Sequence, residues 1–339
     1  MTPTRDPVSD LQLAHDALGA TAPLAFEREF PLLGIPVRIR SNASRVIELA
    51  AASFAVWDTL DRAHVDGHVA VEMRVIVHDA AAGDGAAAWP ESPFVYRRHG
   101  DVLVGACGRT VLTIDLGQRR YLAFVPSQAL DRAEWYAWHV NGMARFAVSA
   151  LDRHPVHAAS WLMGGTAVVV VGRPGSGKST LAFAALRQGW PLLSEEATHV
   201  SLAHGLRLWG HTERITLGAD AVTFFPELAG CPPRLLPSGK IKRAFATTQA
   251  AAPLTHAGPV VLCALTSGRT GPPVIEPLSA AERAALLAAG ADEGFDQFPD
   301  VHGRVATALA GVPAYRLSVG ADPNAAMAAL AHVTGARFP

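Results

Sequence analysis

Gly172-Arg173-Pro174-Gly175-Ser176-Gly177-Lys178-Ser179-Thr180 is the stretch from which the rest of the chain can be read. Before it runs Ala167-Val168-Val169-Val170-Val171, apolar and mostly β-branched, which predicts a buried strand. After it, Leu181-Ala182-Phe183-Ala184-Ala185-Leu186-Arg187 predicts a helix. Strand, glycine loop and helix in that order are the context in which G-x-x-x-x-G-K-[ST] reads as a phosphate-binding loop. Gly172, Gly175 and Gly177 let the backbone curl, so that the segment from Pro174 to Thr180 wraps an anion with the successive N–H groups of Gly175, Ser176, Gly177, Lys178, Ser179 and Thr180. The helix N-terminus adds its partial positive charge. Lys178 is placed to reach the β- and γ-phosphates, and the Ser179 hydroxyl to ligate Mg2+, which prefers oxygen donors. A nucleotide site is the reading.

The bulk composition leaves room for this and removes other classes. With 339 residues, the chain has length for one large or two ordinary domains, and half of it is apolar, too much for a disordered chain. A formal net charge of −1 predicts no strong pull on nucleic acid or an anionic membrane. Cys107, Cys231 and Cys263 form no C-x-x-C pair, which argues against a disulfide framework or structural zinc. No apolar run approaches a membrane span, and the opening MTPTRDPVSD lacks the cationic-then-apolar order of a signal peptide. A cytoplasmic protein is expected.

Outward from the loop, three regions are expected: a tail over 1–24, a smaller α/β module over 25–150, and a nucleotide-binding α/β domain over 151–339. The tail carries at most a short helix over Val8–Leu18. In the module, Phe30–Ile39 and Val69–Val77 predict strands, and Arg45–Leu60 an amphipathic helix. Ala80–Ala88 reads as a low-complexity loop. Phe94–Arg97, Val102–Gly105, Thr110–Asp115 and Arg120–Val125 predict antiparallel hairpins. Glu134–Leu151 predicts a helix with Trp135, Trp138, Val140, Phe146 and Val148 inward. Asp152–Pro155 reads as a connector, His157–Leu162 as the strand before the loop, and Trp190–Ser194 as the strand after its helix. Beyond these, Val260–Leu265 and Tyr315–Val319 predict strands, while Ser279–Ala289, Val301–Ala310 and Pro323–His332 predict helices.

Glu195 and Glu196 follow Ser179 by one helix and one short strand. If the two strands lie side by side, the carboxylates stand beside the phosphates. Phosphoryl transfer needs a cation on the phosphates and a group that orients or deprotonates the acceptor hydroxyl. Adjacent carboxylates share those tasks only where the backbone bends, since a regular strand sends them to opposite faces. His157, at the start of the preceding strand, is level with the same end of the sheet. It can hold Glu195 in position or serve as an ordinary packed histidine. Gly239-Lys240-Ile241-Lys242-Arg243 reads as a cationic loop. Lys240 or Lys242 suits phosphate, and Arg243 a capping contact.

With these residues in place, the sequence resembles the HPr kinase/phosphorylase superfamily, and more closely HPr-kinase-related proteins of peptide-modification operons. The likeness rests on His157 in HAASW, then GRPGSGKST, then LLSEE, and covers roughly 150–335; LRLWG, SGKIKR and PAYRLSVG look like further family features. It implies a P-loop kinase core of the HPr-kinase/PEP-carboxykinase-like type and transfer from ATP, with Mg2+, to a Ser/Thr hydroxyl of a peptide or small protein. It also implies Glu195 as base toward the acceptor, Glu196 as the metal-proximal acid, and His157 beside them. The family's hexamers raise the expectation of a homo-oligomer. Where this chain has Glu195-Glu196 the family usually has Asp-Asp. That difference keeps open a nucleotide-binding regulatory protein with little or no phosphoryl transfer, and a kinase of a small-molecule hydroxyl is a further alternative.

Overall fold

The computed structural model describes residues 23–65, 68–78, 94–235, 241–247, 254–266, 270–288 and 298–337. Val8–Leu18, Ala80–Ala88 and Lys240 lie outside the described residues. The chain divides between Leu151 and Asp152 into two compact units, each mixed α/β. No helix among the described residues is long and apolar enough to cross a membrane.

The first unit opens with β1 (Phe26–Leu32) and β2 (Ile35–Ser41), a hairpin in place of the single expected strand. Leu33 and Gly34, at φ 53 and 78, make its two-residue turn. Next come α1 (Ser44–Phe54), which yields to a 3-10 turn at Ala55 instead of running to Leu60, and β3 (Val71–His78). The predicted hairpins follow as β4 (Val95–His99), β5 (Val102–Cys107), β6 (Thr110–Asp115) and β7 (Arg120–Pro126). Among the described residues the sheet order is β1-β2-β3-β7-β6-β5-β4. Alternation decides its two faces. Ile35, Val37, Ile39, Val71, Met73 and Val75 are buried. The intervening positions of β1 to β3 carry Glu27, Glu29, Arg38, Arg40, Glu72 and Arg74 in a ladder of ion pairs.

The expected helix over Glu134–Leu151 is broken into α2 (Ala133–Tyr136), a π turn over Ala137–Asn141 and α3 (Gly142–Ser149). A π turn spends one extra residue, which shifts the 3.6-residue phase of everything near it. Val140 and Val148 still point inward, but Trp138 is 59% exposed, contrary to its expected packing.

In the second unit β8 (His154–Met163) and β9 (Thr166–Val171) form a hairpin, and α4 (Lys178–Arg187) follows. Then come β10 (Leu192–Ser194), β11 (Ala197–Ser201), β12 (Arg207–Trp209), β13 (Arg214–Gly218) and β14 (Pro233–Leu235). The chain continues through β15 (Ile241–Ala246), β16 (Thr255–His256), β17 (Val260–Thr266) and β18 (Val274–Pro277). It closes with α5 (Ala280–Ala288), α6 (Pro299–Ala310), β19 (Ala314–Ser318) and α7 (Pro323–Thr334). The main sheet runs β16-β12-β11-β8-β9-β17-β19-β18, with β10 also on β8. Its centre, β9-β17-β19, is parallel.

Helices cover both faces of this sheet, which is why β9 is apolar without alternation from Ala167 to Val171. Val168 and Val170 pack with Leu181 and Phe183 of α4 and Met327 and Leu330 of α7. Ala167 and Val169 pack with Leu287 of α5 and Val305 and Leu309 of α6. Ser279 caps α5 as expected, in a reciprocal pair: its N–H donates to Glu282 Oε2 at 2.9 Å, and its Oγ accepts from the Glu282 N–H at 3.3 Å.

The expected connector Asp152–Pro155 is instead built into the fold. His154 and Pro155 already belong to β8, and the Asp152 carboxylate accepts from Ser201 Oγ at 2.7 Å, Leu202 N at 2.9 Å and Ala203 N at 3.0 Å. Burial raises the Asp152 pKa, but these donors outweigh it and hold the group below the usual carboxylate range. A lowered folded pKa means stability that is present above the ordinary carboxylate pKa and lost as pH falls through the folded value. Asp152→Ala should destabilise the chain by roughly 2–4 kcal/mol at pH 7, since it strands two amides and a hydroxyl. Urea unfolding checks this, and the gap to wild type should shrink as the pH is taken toward 3.

Candidate active site

The glycine loop lies at the carboxyl ends of the parallel strands, where α/β sheets take ligands. Val171 pairs with Ala264 of β17, so Gly172 abuts Leu265. A Cβ at Gly172 would stand 2.7 Å from Ser176 Oγ and 3.1 Å from Leu265 Cβ, which leaves space for glycine alone. Gly177 caps α4 at φ 106, a left-handed backbone that costs glycine nothing. The first α-helical bond runs from Leu181 N to Gly177 O, so the amides of the first helical turn have no carbonyl inside the helix. Lys178 is buried, and its Nζ donates to Gly172 O at 2.6 Å across the loop. Ser176 Oγ is buried in the loop without a hydrogen bond. Arg173, Pro174 and Gly175 are exposed at its rim, and Thr180 is half-buried.

The acidic pair reaches this loop by a different route from the one expected. Because β8 and β9 are joined by a tight turn they pair with each other, and the far edge of β9 is taken by β17. β10 therefore does not lie beside β9. It runs along the other edge of β8, Leu192 opposite Trp161 and Ser194 opposite Ser160, and β11 continues that edge with Ala197 opposite His157. Between them the chain bends at Glu195 and Glu196, and the ladder gap is filled by Thr198 Oγ1, which donates to Ala158 O at 3.0 Å and bonds Ser160 Oγ at 2.8 Å.

The bend separates the two acids. Ser179 Oγ donates to Glu195 Oε1 at 2.6 Å, whereas Glu196 is exposed. The family likeness gives Glu196 the metal-side position; here Glu195 holds the hydroxyl that a cation would use. Burial pushes the Glu195 carboxyl up to about 7, with Glu196 adding to the rise, while Ser179, Lys242 and the Thr216 N–H pull the other way. His157 sits opposite Ala197, one residue from the bend, and its neighbour Ala158 sits opposite Val171, one residue from the loop. Its place on β8 alternates with Val156 and Ala158, so it shares the sheet face of Ala159 and Trp161, against which α4 packs.

A second, three-stranded sheet, β13-β15-β14, completes the surroundings of Glu195. The expected cationic loop is strand from Ile241 onward, with Lys242 opposite Gly218 and Arg243 opposite Leu217. Successive residues of a strand face opposite ways, and the two cations part accordingly. Lys242 is near enough to Glu195 to act on its charge. Arg243 donates to the carbonyls of Cys231 and Ala229 and so braces the segment before β14. Thr216 is the contribution that residue types could not announce, because its donor is the main-chain N–H. Gly210 is a second: a Cβ there would meet Leu193 O at 2.2 Å, so β12 leads a bare backbone against the strand entering the acidic bend.

The sequence matches no protein-family model and no curated protein. Among solved structures it is similar to the Hpr(Ser) kinase/phosphatase from Coxiella burnetii. The identity is 10%, the match covers 49% of this chain and 85% of that one, and the TM-score is 0.23. Overlap that slight says nothing of this chain's chemistry, which stands on its own side chains.

Those side chains fit a cation delivered with phosphate. Among the described residues no group of three His, Cys, Asp or Glu could hold a metal alone. Ser179 and Glu195 offer one hydroxyl and one carboxylate, a partial oxygen set of the kind Mg2+ uses when phosphates and water supply the rest. The orphaned Ser176 hydroxyl and the open amides of α4 have a phosphate as their natural acceptor.

Proposed function

We propose that the chain binds ATP with Mg2+ on the 172–180 loop and transfers a phosphoryl group to a Ser/Thr hydroxyl of a peptide or small protein. The observation that carries this reading is the 2.6 Å hydrogen bond from Ser179 Oγ to Glu195 Oε1. It joins the hydroxyl of the phosphate-loop motif to an acid at the bend between β10 and β11, as a metal-nucleotide site requires. The likeness of HAASW, GRPGSGKST and LLSEE to HPr-kinase-related proteins supports the same reaction class.

When bound, the magnesium nucleotide supplies the phosphoryl group and the divalent charge. The chain does the rest. Loop amides and the Lys178 ammonium take the phosphate oxygens. Glu195 accepts the hydrogen bond from Ser179 Oγ and so orients that hydroxyl, and the two groups together would hold the cation. With a carboxyl pKa of about 7, Glu195 is also matched to take the proton of an incoming hydroxyl near neutral pH. Lys242 opposes the negative charge on that side, and His157 is a positioning residue at the bend.

The test is incubation of the purified chain with γ-labelled ATP, Mg2+ and peptides each bearing one Ser or Thr. Label is expected on the hydroxyl, falling on the order of 100-fold or more in Glu195→Gln, the usual range for loss of a general base. Tight ATP binding with no transfer to any peptide, or transfer undiminished in Glu195→Gln, contradicts the proposal.

A further inference from the structure

We propose that Thr198, with Ser160 behind it, is a positioning residue whose hydroxyl sets the bend that delivers Glu195 to Ser179. Its consequence for catalysis rests on the function proposed above, whereas its consequence for Glu195 stands without that function.

The pairings on the two sides of the bend share one register. Ser194 lies opposite Ser160 and Ala197 opposite His157, an equal step along either strand. No residue is inserted or lost between them, and the irregularity in register comes earlier, between Leu192 and Ser194. An unbroken ladder would therefore set Glu195 opposite Ala159 and Glu196 opposite Ala158. Ala159 is buried in the apolar layer with Leu181 and Phe183 of α4, where an unpaired carboxylate is costly. The chain bends instead at Glu195 and Glu196, and Glu195 Oε1 meets Ser179 Oγ at 2.6 Å.

Where a ladder opens, a buried carbonyl loses its main-chain donor unless a side chain supplies another. At Ala158 O the donor is Thr198 Oγ1, at 3.0 Å. A threonine hydroxyl has one proton to give. With that proton on Ala158 O, the 2.8 Å bond between the two hydroxyls runs from Ser160 Oγ to Thr198 Oγ1. Ser160 and Thr198 are each 0% exposed, so both hydroxyls are spent inside the fold. A slip of one residue in this segment would exchange the faces of Glu195 and Glu196. The bond from Thr198 to Ala158 ties the segment at one position and opposes that slip.

Thr198→Val keeps the shape of the side chain and deletes its hydroxyl, and Thr198→Ser keeps the hydroxyl. NMR of isotope-labelled glutamate carboxyls in the full, ligand-free chain follows the titration of Glu195, whose resonance is the one absent from Glu195→Gln. In wild type it should titrate at about 7, where burial holds it. In Thr198→Val it should fall toward the ordinary carboxylate range, because an acid released by Ser179 turns to water. Phosphoryl transfer to peptide should drop about tenfold or more in the same variant, the cost of a misplaced group. The hydroxyl of Thr198→Ser should restore both readouts. Ser160→Ala should shift the titration the same way by a smaller step, and it decides the matter if Thr198→Val does not fold. A Glu195 titration unmoved by Thr198→Val and Ser160→Ala, or moved as far by Thr198→Ser as by Thr198→Val, overturns the proposal. Titration shifts as stated in a chain that transfers no label would sink the kinase reading and uphold the role of Thr198.

Discussion

Lys178→Ala is expected to weaken nucleotide binding at least about 30-fold while leaving the fold in place. The ammonium is buried and spans the loop to Gly172 O at 2.6 Å. It is therefore already desolvated and aimed before ligand arrives. Removing one partner of a buried charge pair costs about 2–5 kcal/mol, or roughly 30- to several-thousand-fold in Kd. The ligand-free protein loses the hydrogen bond to the Gly172 carbonyl, worth roughly 1.5–3 kcal/mol for a charged donor, and recovers part of it by no longer burying a cation. Calorimetric titration with ATP and Mg2+, beside a thermal melt, separates the two effects. Wild type should be stabilised by nucleotide and the variant should melt at the same temperature with and without it.

Glu195→Gln is expected to move stability and function in opposite directions. Because burial raises the folded pKa to about 7, the stability linked to this group is present at low pH and declines as pH rises from the ordinary carboxylate range through 7. At pH 8 the ligand-free wild-type chain carries a half-buried anion, and glutamine removes that charge at nearly constant shape. The ligand-free variant should gain on the order of 1–3 kcal/mol at pH 8, because each tenfold change in proton affinity on folding is worth about 1.4 kcal/mol and water screens part of it. Near pH 5 the wild-type group is protonated, and the gain should vanish. The same change takes the anion from the cation site, so Mg2+-dependent strengthening of ATP binding should be lost. Denaturation at the two pH values together with ATP titrations with and without Mg2+ checks both arms. A misfolded variant would lose stability at both pH values.

How much of this is legible in the sequence depends on how far apart the interacting residues lie. The strand, loop and helix from Ala167 to Arg187 can be read because the periodicities and the glycines are local. The cap at Ser279 and the hairpins from β4 to β7 are visible for the same reason. The acidic bend is legible as chemistry but not as topology. Nothing near Leu192 says that its partner is Trp161 instead of β9; that follows from the tight β8–β9 turn and from β17, which begins at Val260. The sharing of roles between Glu195 and Glu196 needs the bend itself. Lys242 and Arg243 are both readable as cations, but a strand sends neighbours apart, and only the structure shows Arg243 on the Cys231 and Ala229 carbonyls. Asp152 reads as a linker residue because its three donors lie fifty residues away. Trp138 reads as a core residue because a π turn leaves no mark in a 3.6-residue pattern.

The most direct measurement is a crystal structure of the chain with Mg2+ and a non-hydrolysable ATP analogue. The β- and γ-phosphates should lie on the amides of residues 175–180, with the cation on Ser179 Oγ and the Glu195 carboxylate still turned to that hydroxyl. A nucleotide lodged elsewhere, or phosphates on the loop with Glu195 swung out to solvent and the cation held without Ser179, would contradict the account.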